Sequence, residues 1–276
     1  MPDDQPIAEA IESTFKQLDL DRTRLDNHLV PEPTSLLAQD DAGSWQKLLL
    51  SQHVWSALAS TYDHLDLFRS TVHARKIYPT ATYSLLRGGL LGACQAMWLL
   101  EPEEAAERQE RGRRYSEEWY VKRIQWQQTF LPSAGASRKS GLVYAPQLEA
   151  HEAGRVASQL ELLKSDLELL RMARTSSATY NSTAIIERVA EVVFPDDLHA
   201  RRSLVREWRR LGGDAHVLGW SLMTQETSWG TLDEDGKTSA TVQGSLASLG
   251  NSYFSVWLVY RRAWQRLDEL LVPTRA

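Results

Sequence analysis

Cysteine is nearly missing from this sequence. Its single representative, Cys94, excludes an internal disulfide and any zinc site built on several thiolates. Its place in an apolar run marks it as a small buried hydrophobe. Long apolar runs are missing too. The best stretch, Leu85 to Leu100, is broken by Arg87, by glycines and by Gln95, so no membrane span is expected. The opening residues, MPDDQPIAEA, lack the basic-then-apolar order of a secretory leader, and a cytoplasmic protein is the expectation. An excess of positive charge is absent as well: 31 Lys and Arg face 36 Asp and Glu, a formal charge of -5. No global field therefore attracts nucleic acid or anionic lipid, and such binding must use a local patch. The Walker A, GxGxxG, HExxH and GxSxG signatures are all absent. Asp19, Asp21 and Asp26 alternate along the chain, but the glycine and closing glutamate of a calcium loop do not accompany them.

What is present is an ordinary globular balance, 42% apolar and 24% charged, with ten tryptophans suited to anchoring a core. Helical periodicity dominates. Ile7, Ile11, Phe15 and Leu18 predict a first helix to about Leu20, and residues 21–43, rich in Asp, Pro and Ser, read as an arm. A single helical domain is then expected over 44–276. Its first helix runs from an N-cap at Ser44 to about Lys76, with Trp45, Leu48, Trp55, Leu58, Tyr62, Leu65, Phe68 and Val72 on one stripe. Residues 81–100 are apolar on nearly every side, as a central helix would be, and Gly88, Gly89 and Gly92 would let neighbours approach closely. Residues 103–130 carry the i,i+4 pairs Glu104/Arg108, Glu107/Arg111, Glu110/Arg114 and Glu118/Lys122, which read as a solvated face behind a stripe of Tyr115, Trp119, Trp126 and Phe130. A Gly/Ser/Pro loop over 131–146 is the expected mobile segment. Helices follow near 147–174, 182–194, 197–211 and 245–271, with Gly212-Gly213 as a break and Asp214 as the N-cap of a short helix to about Met223. One strand signal occurs: ETSWGTL and KTSATVQ flank DEDG and read as a small β-hairpin near 226–242. The fold expectation is an all-α, multi-helix bundle around 81–100.

Candidate chemistry is sparse. His53, His64 and His73 fall on the first main helix, where His64 with Asp63 or Asp66 would form half an acid/base site. Polar-face histidines are the plainer reading. Arg87 sits inside the most apolar helix, so its charge must be paired or led to water. Asp63 and Asp66 are its expected partners, and Gln95, two turns on, needs partners too. The alternative role for Arg87 is to line a pocket or hold an anion. The densest constellation is the Arg201, Arg202, Arg206, Arg209 and Arg210 cluster leading through Gly212-Gly213 to His216. An arginine and a histidine brought together there suit phosphodiester cleavage. Arg210 would hold the phosphate and its developing charge, and His216 would move protons. Arg202, Arg206 and Arg209 would bind the substrate chain. RNA carries its own nucleophile, the 2′-hydroxyl, so no metal or other cofactor is required.

LLRGGLLGACQAMWLL together with WRRLGGDAHVLGW resembles a group of uncharacterised, mainly actinobacterial helical proteins that are distantly similar to the HEPN superfamily. That resemblance implies a helical bundle. It further implies metal-independent RNA cleavage in toxin–antitoxin or phage-defence systems, at an Arg and a His separated by four to six residues and assembled across a homodimer. Arg210 and His216 have five residues between them, and Arg209 fits with six. The alternative expectation is a non-enzymatic helical protein with a dimerisation or docking face, in which His216 packs against Trp208 or Trp220 and the working surface is an exposed aromatic patch.

Overall fold

The computed structural model describes residues 5–27, 29–78, 80–131, 150–216, 218, 226–229, 231, 235, 240–243 and 246–273. It is an all-α protein. In chain order the helices are α1 (Gln5–Ser13), α2 (Phe15–Leu25), α3 (Leu36–Gly43), α4 (Leu50–His73), α5 (Ala81–Leu100), α6 (Ala105–Gln128), α7 (Ala150–Ala173), α8 (Ser182–Val193), α9 (Leu198–Ala215) and α10 (Leu246–Leu271). Between α9 and α10, β1 (Glu226–Trp229) and β2 (Ala240–Gln243) pair antiparallel, with Glu226 opposite Gln243. Most of the DEDG segment, nearly all of the 131–146 loop, and Trp220 with the rest of the helix expected to end near Met223 lie outside the described residues. Among the described residues no helix is long and apolar enough to cross a membrane.

Packing follows the apolar stripes. Thirteen residues of α5 are buried, and the helix packs against α4, α6, α8, α9 and α10. The closest approach runs through its glycines. A Cβ on Gly92 would meet Thr61 Oγ1 at 2.6 Å and the Ala57 carbonyl at 2.9 Å, and one on Gly88 would collide with the His64 ring. α10 buries Leu249, Tyr253, Val256, Tyr260, Trp264 and Leu267 at helical spacing. A second, smaller core joins α6 to α7 through Tyr120, Ile124, Leu160, Leu163, Leu167 and Leu170.

Two local expectations change. Residues 21–43 are not an arm: helix continues to Leu25, α3 follows, and Ile11, Phe15, Leu18 and Leu37 sit in the same core as α5 and α10. Ser44 closes α3 rather than opening α4. α4 begins at Leu50, where the Gln52 side chain accepts from the Leu49 N–H at 3.0 Å and satisfies a donor that the helix leaves free.

The charged helix α6 is not a solvated face. Arg108 is 2% exposed, and Glu110 and Arg111 are also buried. Arg108 pairs with the fully buried Asp40 of α3 at 2.6 Å and donates to the Pro102 and Glu103 carbonyls. Glu110 binds Arg113, Arg174 and the Thr175 N–H, which ties the end of α7 to α6. Only Glu107/Arg111 and Glu118/Lys122 form as the spacing predicts. Long side chains on α6 reached buried partners from other elements in preference to their i,i+4 neighbours. At the other end of the same helix, Trp126 and Phe130 are exposed.

Candidate functional site

α9 explains where its arginines go. Leu204, Glu207, Trp208 and Leu211 are buried, which turns Leu198, Arg202, Arg206 and Arg209 outward. Beside α8, whose Ile185, Ile186, Val189 and Ala190 face the core, this surface forms an open groove of about 810 Å³. Arg201, Arg202, Arg206, Arg209 and Arg210 line it with Glu187, Glu191 and Glu207 around apolar Ala190, Leu198 and Val205. Cations outnumber anions there, although the chain as a whole is acidic. Arg202 and Arg206 are exposed, and among the described residues Arg206 donates only to Ser203. Arg209, 68% exposed, touches Glu187 at 3.5 Å, a pair of little energetic weight at such exposure.

Arg210 is different. Its guanidinium binds Glu207 at 2.7 Å, donates to Ser252 of α10 and lies 4.3 Å from the centre of the Tyr83 ring. Burial alone would lower its pKa, but the hydrogen bond and charge of Glu207 outweigh burial and raise it. Arg210 is a tertiary clamp joining α9, α5 and α10.

α9 does not break at Gly212-Gly213. It runs to Ala215, Gly213 and Asp214 are buried within it, and His216 is its exposed C-cap. His216 therefore does not stand on the first turn of another helix. At ~100° per residue, Arg210 and His216 diverge by about 120° around the axis. Arg202, Arg209 and His216 instead recur every two turns on one outward stripe. The arginine that the structure aligns with His216 is Arg209, with six residues between them.

Arg87 does not meet the carboxylates expected for it. Asp66 bonds to Arg69, and Asp63 is exposed, so neither carboxylate meets it. Its guanidinium lies 4.3 Å from the centre of the Trp208 ring, and a Cβ on Gly212 would stand 3.7 Å from its Nε. Among the described residues Arg87 makes no hydrogen bond or ion pair, its Nε is buried without a partner, and burial alone lowers its pKa. Gly212 is one helical turn before His216, so Arg87 approaches the same end of α9. The signal that could have found it was the one uncompensated charge in the most apolar helix. Gln95, by contrast, finds partners: its amide donates to the Tyr180 hydroxyl and accepts from that of Tyr115 at 3.4 Å.

The other histidines divide by environment. His53 is buried against Ser116 Oγ at 2.7 Å, and burial lowers its pKa to about 4. His64 donates from Nδ1 to the Ser60 carbonyl at 2.6 Å, and His73 meets the Phe15 ring edge-on. His64 is bonded to neither Asp63 nor Asp66. Among the described residues no group of His, Cys, Asp and Glu is arranged to hold a metal ion. No protein-family model, curated protein or solved structure matches the chain.

Proposed function

We propose that this protein is a HEPN-like, metal-independent endoribonuclease, or a degenerate relative of one, that takes single-stranded RNA along the α9 groove and acts at His216. The observation that carries the reading is the alignment of Arg202, Arg209 and His216 on one exposed stripe, with the unpaired Arg87 against Gly212 one turn away. A scaffold organised on α5, with the small strand pair beyond α9, presents that stripe.

Arg202, Arg206 and Arg209 would neutralise successive phosphates, and Arg209 with Arg87 would stabilise charge on the scissile phosphate. The 2′-oxygen forms a bond to phosphorus as the bond to the 5′-oxygen breaks. His216 takes the 2′-hydroxyl proton and returns a proton to the leaving oxygen, leaving a 2′,3′-cyclic phosphate and a 5′-hydroxyl. Arg210, the first choice from spacing, keeps the groove wall in place through Glu207 and Ser252. A homodimer in the cytoplasm, as part of a defence or toxin-type system, belongs to the same proposal.

The test is cleavage of single-stranded RNA in EDTA. His216→Ala should slow it by about 10²–10⁴-fold, the usual worth of a positioned acid/base group, with an unchanged melting curve. Wild-type protein that leaves RNA intact, alone or concentrated enough to dimerise, would remove the nuclease. The second reading, a non-enzymatic interaction protein, is favoured by one observation, the exposed aromatic pair Trp126 (59%) and Phe130 (41%). RNA binding without cleavage would support it.

A further inference from the structure

An open pocket of about 570 Å³ lies between α5, α6 and the residues leading into α8. Its walls are aromatic: Tyr115, Trp119, Trp126 and Tyr180, with Leu91 beside them. Gln95 lies among these rings with its amide oriented by two hydroxyls, donating to Tyr180 and accepting from Tyr115. That arrangement leaves donors over. The Gln95 amide has a second N–H. The Tyr180 hydroxyl, which accepts from Gln95, has its own proton left to donate. Two cations, Lys122 and Arg123, face one carboxylate, Glu118, in the lining. Lys122 already leans on Glu118 at 3.6 Å. Arg123 is over the Trp119 ring, 5.0 Å from its centre. Among the described residues it makes no hydrogen bond or ion pair, and its Nε is buried without a partner.

Each feature specifies part of an occupant. Aromatic faces with one ring standing in solvent take a flat π-system, since every nucleobase offers such a face. Spare N–H and O–H donors at Gln95 and Tyr180 take an acceptor edge, a ring nitrogen or carbonyl oxygen. An unpaired guanidinium takes an anion, with geometry suited to phosphate oxygens. A purely apolar ligand would leave Arg123 and the donors unanswered, and free phosphate would leave the rings empty.

We infer that this pocket binds a nucleotide, its base against Trp119 and Trp126, the base edge at Gln95 and Tyr180, and its phosphate at Arg123. The pocket also adjoins the cationic end of α9. Arg87, Leu91 and Gln95 follow one another at one-turn spacing on a half-buried stripe of α5, which puts Gln95 roughly 12 Å along the axis from Arg87 at 1.5 Å per residue. A strand whose base occupies the pocket therefore has a second arginine within a few phosphates. The inference goes beyond RNA cleavage and stands whether or not His216 is catalytic.

Titration of the full chain with uridine and adenosine monophosphates, followed by calorimetry and tryptophan fluorescence, tests it. Saturable binding with quenching is expected, with adenosine alone and inorganic phosphate alone each weaker by about tenfold or more, in line with separate stacking and charge contributions. Trp126→Ala, at an exposed position, and Arg123→Gln, at a half-buried one that makes no hydrogen bond among the described residues, should each weaken nucleotide binding by about tenfold, the first without moving the melting temperature. His216→Ala and Arg209→Ala should leave it unchanged, which separates this site from the α9 groove. No saturable binding, phosphate alone binding as well as the nucleotide, or nucleotide binding indifferent to both pocket variants would overturn the assignment.

Discussion

Arg87 lies over the indole of Trp208, its guanidinium carbon 4.3 Å from the ring centre, with no carboxylate bonded to it among the described residues. The pair joins α5 to α9 without neutralising the arginine. Such a contact contributes about 0.5–2 kcal/mol, well below the ~3–5 kcal/mol lost when a buried ion pair is broken. Arg87→Met should therefore leave stability within about 1 kcal/mol of wild type, because its thioether chain can still cover Trp208. A loss near 4 kcal/mol on urea unfolding would mean that a hidden counter-charge exists. The same variant should lose RNA cleavage if the proposed reaction occurs.

Asp40 and Arg108 are the opposite case. Both are buried, and their ion pair fixes α3 to α6. Asp40→Ala strands a buried guanidinium, and should cost about 3–5 kcal/mol. The double variant Asp40→Leu/Arg108→Met should recover most of that loss. A double variant as unstable as Asp40→Ala would show that the carbonyl contacts of Arg108, rather than its charge balance, hold the two helices together.

Two glycines should respond in opposite directions to alanine. Gly92→Ala forces a methyl against the α4 backbone at Ala57, and overpacking of this kind costs about 1–3 kcal/mol. Gly154 of α7 has nothing within 4 Å of an added Cβ, so Gly154→Ala should gain up to about 1 kcal/mol of helix propensity. Denaturant midpoints measured side by side decide both.

His53 should make the fold acid-sensitive. Its folded pKa is lowered from 6.5 to about 4 by burial, so below pH 6.5 the unfolded chain takes up the proton first. Stability is fully present above the unfolded value and falls as pH drops through the folded one. The loss amounts to about 3 kcal/mol by pH 4. His53→Gln, which can still meet Ser116, should flatten the stability curve between pH 6.5 and 4. Parallel curves for the two proteins would mean that other groups control the acid limb.

Helix placement was legible because it depends on short-range spacing. Residues 81–100 form a helix with the expected bounds, α8 and α10 begin within a residue of expectation, and Cys94 is buried. The tight contacts of Gly88 and Gly92 were legible for the same reason, as glycine in an otherwise apolar helix has no propensity to recommend it. Partner choice was not legible. Arg108 met Asp40 instead of Glu104, Arg87 met Trp208 instead of Asp63 or Asp66, and Arg210 reached Glu207 and Ser252. A long flexible cation reaches several Å in any direction, so its partner is set by which helices pack alongside. The continuation of α9 through Gly212-Gly213 has the same origin. Local propensity favours a break there, but buried Gly213 and Asp214, with Arg87 against Gly212, hold the last turn in the bundle. Sequence alone determined which faces were apolar and where charge and histidine were concentrated. Only the tertiary packing decided that Arg209, and not Arg210, shares a surface with His216, because the azimuth of a side chain is fixed by an unbroken helix and by the neighbours that cover its other face.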